Sequence, residues 1–435
     1  MSASQWITLA VLAAVVAALI LDKVRSDVVA LSGAAVLLMT GVVRPIEVEA
    51  AFASPAIIAL AALFVIAYAM ELSGLLDAAI RIVTRLCNRI GKAGLWVLIG
   101  LSGGASAFLN NTPIVVLAAP VVRDVARTLG LSPKRFLIPL SYAAVLGGCC
   151  TLIGTSTNLL VSDMASVGGQ PRFGIFEITP VGVAVALAGG LYLFVFGERL
   201  IRVNDGEEAP GGVSELEEPG LTGAQMGNAR SFAEHSPLRP VAAIASAGVF
   251  VSVVILAALN VAPIAACAFA GAVLLIACKV ITADEAYRGL RADVLMLIAG
   301  MVVLGIALDV TGLAGSVTRD LVSSLGELTP LLALVIIYGV TLFATELLSN
   351  ATVAVLFTPI AISLAEAFGV SPRPFLVAVM VAGSAAFATP FGYQTNALVY
   401  QLGGYSYMDF VRVGIPLNLL TWAVAVVAIQ AWFPF

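Results

Sequence analysis

The chain has 435 residues, 60% of them hydrophobic and only 11% charged, with 22 Lys and Arg against 26 Asp and Glu. So much apolar surface excludes a soluble domain of this size, and the near-neutral balance gives no reason to expect nucleic acid as a partner. The single His235 and the five cysteines (Cys87, Cys149, Cys150, Cys267, Cys278) have no catalytic or metal-ligand spacing, and no HExxH or GxSxG motif occurs, so neither an enzyme nor a bound cofactor is expected.

A run of about 20 apolar residues crosses a bilayer core as a helix. The first run, 5–21, has no basic segment before it and no clear cleavage site after it, so it reads as a retained transmembrane helix. Runs at 27–43 and 54–72 follow. The stretch 75–92 sets Arg81, Arg85 and Arg89 on one stripe of a helix with Leu and Ile opposite, the pattern of a helix lying in the membrane interface. The apolar stretch 95–122 is interrupted by LNNTP at 109–113, which reads as a re-entrant hairpin with a polar tip. A crossing segment at 135–167 is broken by polar residues at 151–158, and another crossing segment spans 175–198. Residues 203–238 carry Asp205, Glu207, Glu208, Glu215, Glu217 and Glu218 among Gly and Pro, a solvated linker. Beyond it come runs at 239–259, 262–280 and 292–311, and a second connecting stretch at 313–327. Then follow a second interrupted hairpin at 330–365 with LLSNAT at 347–352, a segment at 373–402 broken at 389–396, and a last run at 411–432.

The second half repeats the first. Gly74 and Gly312 stand 238 positions apart, as do Thr151 and Thr389, Gly154 and Gly392, Thr157 and Thr395, and Asn158 and Asn396. Asn111 and Asn350, Pro120 and Pro359, and Phe136 and Phe375 stand 239 apart, and GLSPKRFL is a near copy of GVSPRPFL. The chain therefore divides into repeats at 1–202 and 239–435. Each has five crossing segments and one hairpin. Five is odd, so the second repeat enters from the opposite face, and the repeats are inverted about the membrane plane. The expected fold is an all-α polytopic membrane protein with two broken helices at the midplane. All but four of the 22 basic residues (Arg44, Arg172, Arg319 and Arg373) fall on the face reached after the first helix, which marks that face as cytoplasmic. Both termini are then outside the plasma (inner) membrane and the linker inside.

A broken helix exposes carbonyl oxygens at the end of its first half and N–H groups at the start of its second. Carbonyl and Asn oxygens are hard ligands suited to sodium, whereas free N–H groups and hydroxyls suit an anion. Each tip with its neighbouring break offers one sodium site, Asn111 with Gly154 and Asn158, and Asn350 with Gly392 and Asn396. The anion is expected between them, on Asn110, Asn111, Thr112, Ser349, Asn350, Thr157 and Thr395. No Arg or Lys falls in the four interruptions, so neutral dipoles and bound cations would hold the anion. That favours a compact tetrahedral dianion such as sulfate over a C4-dicarboxylate. Glu346, four positions before Asn350 and matched by apolar Ala107 in the first repeat, is a candidate coupling carboxylate. It supports a second reading, a cation/proton antiporter or oxyanion exporter; its alternative role is to cap backbone N–H groups. Asp163, matched by Gln401, is open in the same way.

The tips Asn110-Asn111-Thr112 and Ser349-Asn350-Ala351, and the breaks Thr155-Ser156-Thr157-Asn158 and Tyr393-Gln394-Thr395-Asn396, resemble those of the divalent anion:sodium symporters (solute carrier family 13 of the ion transporter superfamily). Within that family they look most like a bacterial permease subgroup. In the family each tip carries Ser-Asn-Thr and each broken helix a Thr-Pro-Pro-Asn-like motif; here the second tip has Ala351 for Thr, and polar residues replace the prolines. The resemblance implies sodium-coupled symport and a homodimer working as an elevator, with a scaffold at about 5–72 and 239–311 and a transport body at about 95–198 and 330–432.

Overall fold

The structure, a computed structural model, describes residues 2–21, 23–75, 78, 91–201, 238–259, 261–313, 315–316 and 329–435. Arg81, Arg85 and Arg89, most of the 313–327 stretch, nearly all of the acidic linker, Cys87 and His235 lie outside the described residues.

The first half runs α1 (Ala3–Leu21), α2 (Ser26–Met39), α3 (Pro45–Phe52), α4 (Pro55–Leu72), α5 (Lys92–Ser106), α6 (Asn111–Thr128), α7 (Lys134–Gly148), α8 (Ser156–Val167) and α9 (Thr179–Tyr192), the last continuing through a π-helical turn at Leu193–Gly197. The second half runs α10 (Pro240–Ala258), α11 (Ile264–Ala277), α12 (Ala283–Gly289), α13 (Ala292–Val310), α14 (Pro330–Ala344), α15 (Asn350–Phe368), α16 (Arg373–Ala382), α17 (Gln394–Gly403) and α18 (Tyr407–Trp432). No strand occurs among the described residues. Six helical runs among them are long and apolar enough to cross a membrane, by length and composition: Pro45–Leu72, Thr179–Leu200, Pro240–Ala258, Ala292–Val310, Asn350–Phe368 and Tyr407–Trp432.

The helix ends follow local chemistry. Ser54 caps α4 by accepting the Ala56 N–H, and Pro55 fills the first helical position, where no N–H is needed. Gly369 and Gly404, at φ 64° and 58°, end α15 and α17 in the left-handed conformation. The described helices largely pair across the two halves: α2 starts at 26 and α11 at 264, α5 at 92 and α14 at 330, α8 at 156 and α17 at 394.

Three boundaries differ from the sequence reading. The second break spans 383–393 rather than beginning at 389, because α16 stops at Ala382. The second limbs of the hairpins, α6 with 18 residues and α15 with 19, are long rather than half-length, and α15 alone meets the length and composition of a span. The short helices α3 and α12, another matched pair, were not anticipated. In each, the Glu at the third position, Glu47 or Glu285, accepts the N–H of the N-cap residue, and at α12 the Thr282 hydroxyl accepts the Glu285 N–H in return, completing a capping box.

Packing obeys the duplication within two groups of helices. In one, α2 packs on α13 as α11 packs on α4, and α1 on α2 as α10 on α11. In the other, α5 packs on α7 as α14 packs on α16, α15 on α8 as α6 on α17, and α9 lies along its own counterpart α18. Between the groups the duplication fails. The contacts of α13 with α15, and of α8 with α4 and α13, have no matched contact of comparable extent.

Candidate ion and substrate site

At the first tip α5 stops at Ser106, and α6 starts at Asn111 with Asn110 as its N-cap. Ser106 donates its hydroxyl to Asn111 Oδ1, and Asn111 Nδ2 donates to the Tyr393 hydroxyl at 2.7 Å. At the first break Thr151 donates to the Ala107 carbonyl and its hydroxyl accepts the Gly154 N–H at 3.2 Å. Asn158 Nδ2 donates to the Thr151 carbonyl at 2.9 Å. Asn158 Oδ1, on a residue with no exposed surface, has no hydrogen-bond partner.

Two glycines let oxygens gather here. A Cβ on Gly148 would lie 2.7 Å from Asn111 Oδ1, and one on Gly154 would lie 2.5 Å from the Gly148 carbonyl and 2.9 Å from the Ala107 carbonyl. Oxygens from a tip, a helix end and a break therefore converge on the Gly148–Gly154 backbone. Neutral carbonyl and amide oxygens are the ligand type of a hard monovalent cation, which makes this cradle a candidate ion site.

The second tip and break repeat these bonds. Thr345 donates to Asn350 Oδ1 at 2.8 Å, as Ser106 does to Asn111. The Thr389 hydroxyl lies 3.3 Å from the Glu346 carbonyl, in the place where Thr151 meets that of Ala107, though its proton has a nearer acceptor in the Glu346 carboxylate. The Gly392 N–H reaches the Thr389 hydroxyl at 3.0 Å, and Asn396 Nδ2 the Thr389 carbonyl at 3.3 Å. Two features break the match. The Glu346 carboxylate accepts from the N–H groups of Ala388 (2.7 Å) and Thr389 (2.9 Å), the Thr389 hydroxyl (2.9 Å) and Asn418 Nδ2 (2.8 Å). And Asn396 Oδ1, unlike Asn158 Oδ1, is taken by Ser141 at 2.7 Å, while Asn396 Nδ2 holds the Ala386 carbonyl at 2.8 Å. The two cradles therefore share most of their internal bonds and differ at one acceptor, Asn158 Oδ1 being unpartnered and Asn396 Oδ1 taken by Ser141.

Both tips and both breaks meet at one cavity of about 400 Å³. Of the predicted residues, Asn110, Thr112, Thr157, Ser349, Asn350 and Gly392 line it, with Glu346 and Gln394. The N-caps of four helices do so too: Asn110 of α6, Thr155 of α8, Ser349 of α15 and Tyr393 of α17. Four positive helix ends therefore converge on it. Thr112 Oγ1 bridges to Gln394 Oε1 at 3.3 Å, tying the first tip to the second break.

The other predicted residues lie behind the lining. Gly154, Asn158 and Asn396 do not reach the cavity, and their carbonyl and amide groups are available only to a buried ion. Asn111, 1% exposed with both amide atoms engaged, is removed from the substrate list and stays a candidate ion ligand. Thr395 is removed as well: it has no exposed surface and its hydroxyl lies 2.8 Å from that of Ser141. The expectation of a site without cations also needs correction. Arg25 and Arg291 line the cavity wall, brought there from the start of α2 and of α13. Sequence reasoning also missed Ser106, Thr345, Ser141 and Asn418. Ser106 and Thr345 are matched hydroxyls at the same 239-residue offset, a signal present in the repeat; Ser141, matched by Met380, has no polar counterpart to reveal it.

The sequence matches the family model CitMHS, citrate transporter, over residues 16–369 and 334–435. An uncharacterized transporter of Synechocystis sp. is 24% identical, covering 95% of each chain. The sodium-dependent dicarboxylate transporter SdcS of Staphylococcus saprophyticus is 24% identical over 92% of this chain and 80% of its own. A sodium/sulfate cotransporter of Chlamydomonas reinhardtii is 46% identical over a shorter region, 21% of this chain and 11% of its own. Among solved structures, the YdaH transporter of Alcanivorax borkumensis superposes with a TM-score of 0.61 at 15% identity, covering 88% of this chain and 87% of that one. MtrF of Neisseria gonorrhoeae, described as one of a class of antimetabolite efflux pumps, superposes with a TM-score of 0.57 at 13% identity, covering 86% and 80%. These two likenesses concern the fold.

Proposed function

The chain belongs to the CitMHS citrate-transporter family, and from that premise we propose that it couples sodium to the uptake of a divalent anion, sulfate or a C4-dicarboxylate, across the plasma membrane. One observation carries the reading: four helix N-termini converge on a single cavity, and the first of the breaks that supply them keeps a buried Asn158 Oδ1 without a partner. The helix ends and the hydroxyls of Thr112, Thr157 and Ser349 supply donors to an anion. The cradle supplies oxygens to sodium. An ion bound between Asn111 and the first break would fix the tip against the break, and so order the donors that the anion needs. That is thermodynamic coupling, and it is reciprocal. The printed names of a sodium/sulfate cotransporter and a sodium-dependent dicarboxylate transporter support this chemistry.

The same reading makes the repeats inverted, with both termini outside, the linker cytoplasmic and two copies joined as a homodimer. The packing groups become a scaffold (α1–α4 and α10–α13) and a transport body (α5–α9 and α14–α18). An inverted duplication caught on one side of the membrane breaks its symmetry where the bodies meet, and the unmatched contacts of α13 with α15 and of α8 with α4 and α13 support that reading.

The test is uptake of labelled sulfate, succinate and citrate into proteoliposomes under imposed sodium or proton gradients. Sodium-driven accumulation of one of them is expected. Accumulation driven by a proton gradient alone, or sodium-independent efflux, would replace this reading with the antiporter or exporter.

A further inference from the structure

We infer that Arg25 and Arg291 form an anion station on the cytoplasmic wall of the cavity, a holding point for the transported dianion on one face of the membrane only. This rests on the sidedness and substrate class given under the proposed function.

The two residues come from similar short segments, Arg25-Ser26-Asp27 and Arg291-Ala292-Asp293, at the starts of α2 and α13, two helices in extensive contact with each other. All four charged residues line the same cavity as the tips. Each Asp sits in the first turn of its helix, where the N-terminal dipole favours a carboxylate. Asp27 is tucked in, its side chain 13% exposed, while that of Arg25 is 56% exposed, so the cation is the more accessible member of the pair. Arg291 is held weakly, 3.5 Å from Asp293, and its Nε–H is buried with no partner. A buried guanidinium donor without an acceptor is costly, so Arg291 gains by turning its side chain toward an anion in the cavity. The anion would draw Arg25 from Asp27 and leave that carboxylate to the helix end.

The duplication shows that the station is one-sided. At the 238-residue offset Arg25 and Asp27 match Pro263 and Ala265, and Arg291 and Asp293 match Ala53 and Pro55. The corresponding wall on the outer face has no charge at any of the four positions. An anion released inward meets two Arg–Asp pairs, in the first of which the guanidinium is the exposed partner and in the second of which Asp293 is the more exposed, at 32% against 17% for Arg291; one approaching from outside meets no charge at the matched positions.

Two measurements test this. In membrane vesicles of both orientations, Arg25→Gln and Arg291→Gln should raise the half-saturating sulfate or succinate concentration at the cytoplasmic face at least fivefold, with the outer-face value unchanged within twofold. No change at the cytoplasmic face, or equal change at both faces, overturns the station. The second readout needs no transport. A Val294→Cys reporter on the cavity wall, in a background with the five native cysteines replaced by Ala, is reacted with an anionic sulfonate and a cationic ammonium methanethiosulfonate. The anionic-to-cationic rate ratio should fall at least fivefold in each Arg→Gln variant and recover in Arg25→Lys and Arg291→Lys. An unchanged ratio overturns the proposal. If the unmutated protein moves neither anion, the symport reading fails, and the rate ratio alone decides whether the station exists.

Discussion

Glu346 shows how the surroundings of one residue choose between its possible roles. Every group within hydrogen-bonding distance of its carboxylate is a donor: two backbone N–H groups, one hydroxyl and one amide. Such a shell fits the ionised form, and nothing in it asks the carboxyl to donate a proton. The geometry favours a brace that ties the second tip to the second break, over a proton-coupling group. Glu346→Gln sets an amide NH₂ against these donors and leaves buried groups unsatisfied, at a cost of about 1–3 kcal/mol. The expected outcome is a lower thermal unfolding midpoint with unchanged pH dependence of transport; a pH profile displaced by a unit or more would restore the coupling role. Asn158 tests the opposite case, an acceptor left open. Replacing it with Ala removes Oδ1 from the first cradle, and Asn111→Ala removes its partner oxygen. Each should raise the sodium concentration for half-maximal uptake by roughly tenfold or more, the equivalent of about 1.4 kcal/mol. Asn396→Ala should have the smaller effect on sodium, because its oxygen already serves Ser141. Equal effects of Asn158→Ala and Asn396→Ala would mean that the two cradles are equally open.

At the scale of the element, the breaks depend on backbone groups approaching more closely than a side chain allows. Gly154→Ala would push a methyl to 2.5 Å from one carbonyl oxygen and 2.9 Å from another, neither at the end of a flexible chain. Overpacking of this kind typically costs about 1–3 kcal/mol. Sodium-dependent uptake should fall with it. Gly190→Ala in α9, where no atom lies within 4 Å of the added Cβ, is the control, expected to stabilise by about 0.5–1 kcal/mol. Comparable loss of uptake in both would show that any added methyl is harmful, not the crowding at the break. The elements were largely legible in the sequence, because hydrophobic runs and their interruptions are local signals, and the repeat supplied each signal twice. What escaped was of two kinds. The helices α3 and α12 are too short and too evenly mixed to stand out as runs. The partners Tyr393, Ser141 and Asn418 become partners only through contacts spanning 72 to 282 positions of chain. Arg25 and Arg291 were visible only as marks of the cytoplasmic face, since nothing local to RSD or RAD says that a cavity opens beside them.

For the whole molecule, the asymmetric seam between the two packing groups is where an equilibrium between two arrangements would be set. Its most specific contact joins the N-cap of α4 to α8: the Ser54 hydroxyl donates to Asp163 Oδ2 at 2.5 Å, and Arg172 lies 3.7 Å from Asp163 Oδ1. Asp163 is only 4% exposed, so the bond is sheltered from water. The matched positions, Ala292 and Gln401, cannot reproduce it. If the transport body moves against the scaffold, this bond belongs to one end state alone and biases the population toward it. A hydrogen bond to a charged acceptor contributes about 1.5–3 kcal/mol, enough to shift a two-state population by roughly tenfold or more. Ser54→Ala removes the donor with little change in packing and should move the balance toward the opposite arrangement. A Gln394→Cys reporter at the cavity, treated with membrane-impermeant thiol reagents from each side, reads that balance. In the unmutated background labelling should come chiefly from the cytoplasmic side. With Ser54→Ala the ratio of inside to outside rates should fall by about tenfold, with Asp163→Asn intermediate, since an amide still accepts the hydroxyl proton but without the charge. Identical ratios in all three proteins would mean that the Ser54–Asp163 bond holds both arrangements equally, and that the seam is not the element that decides between them.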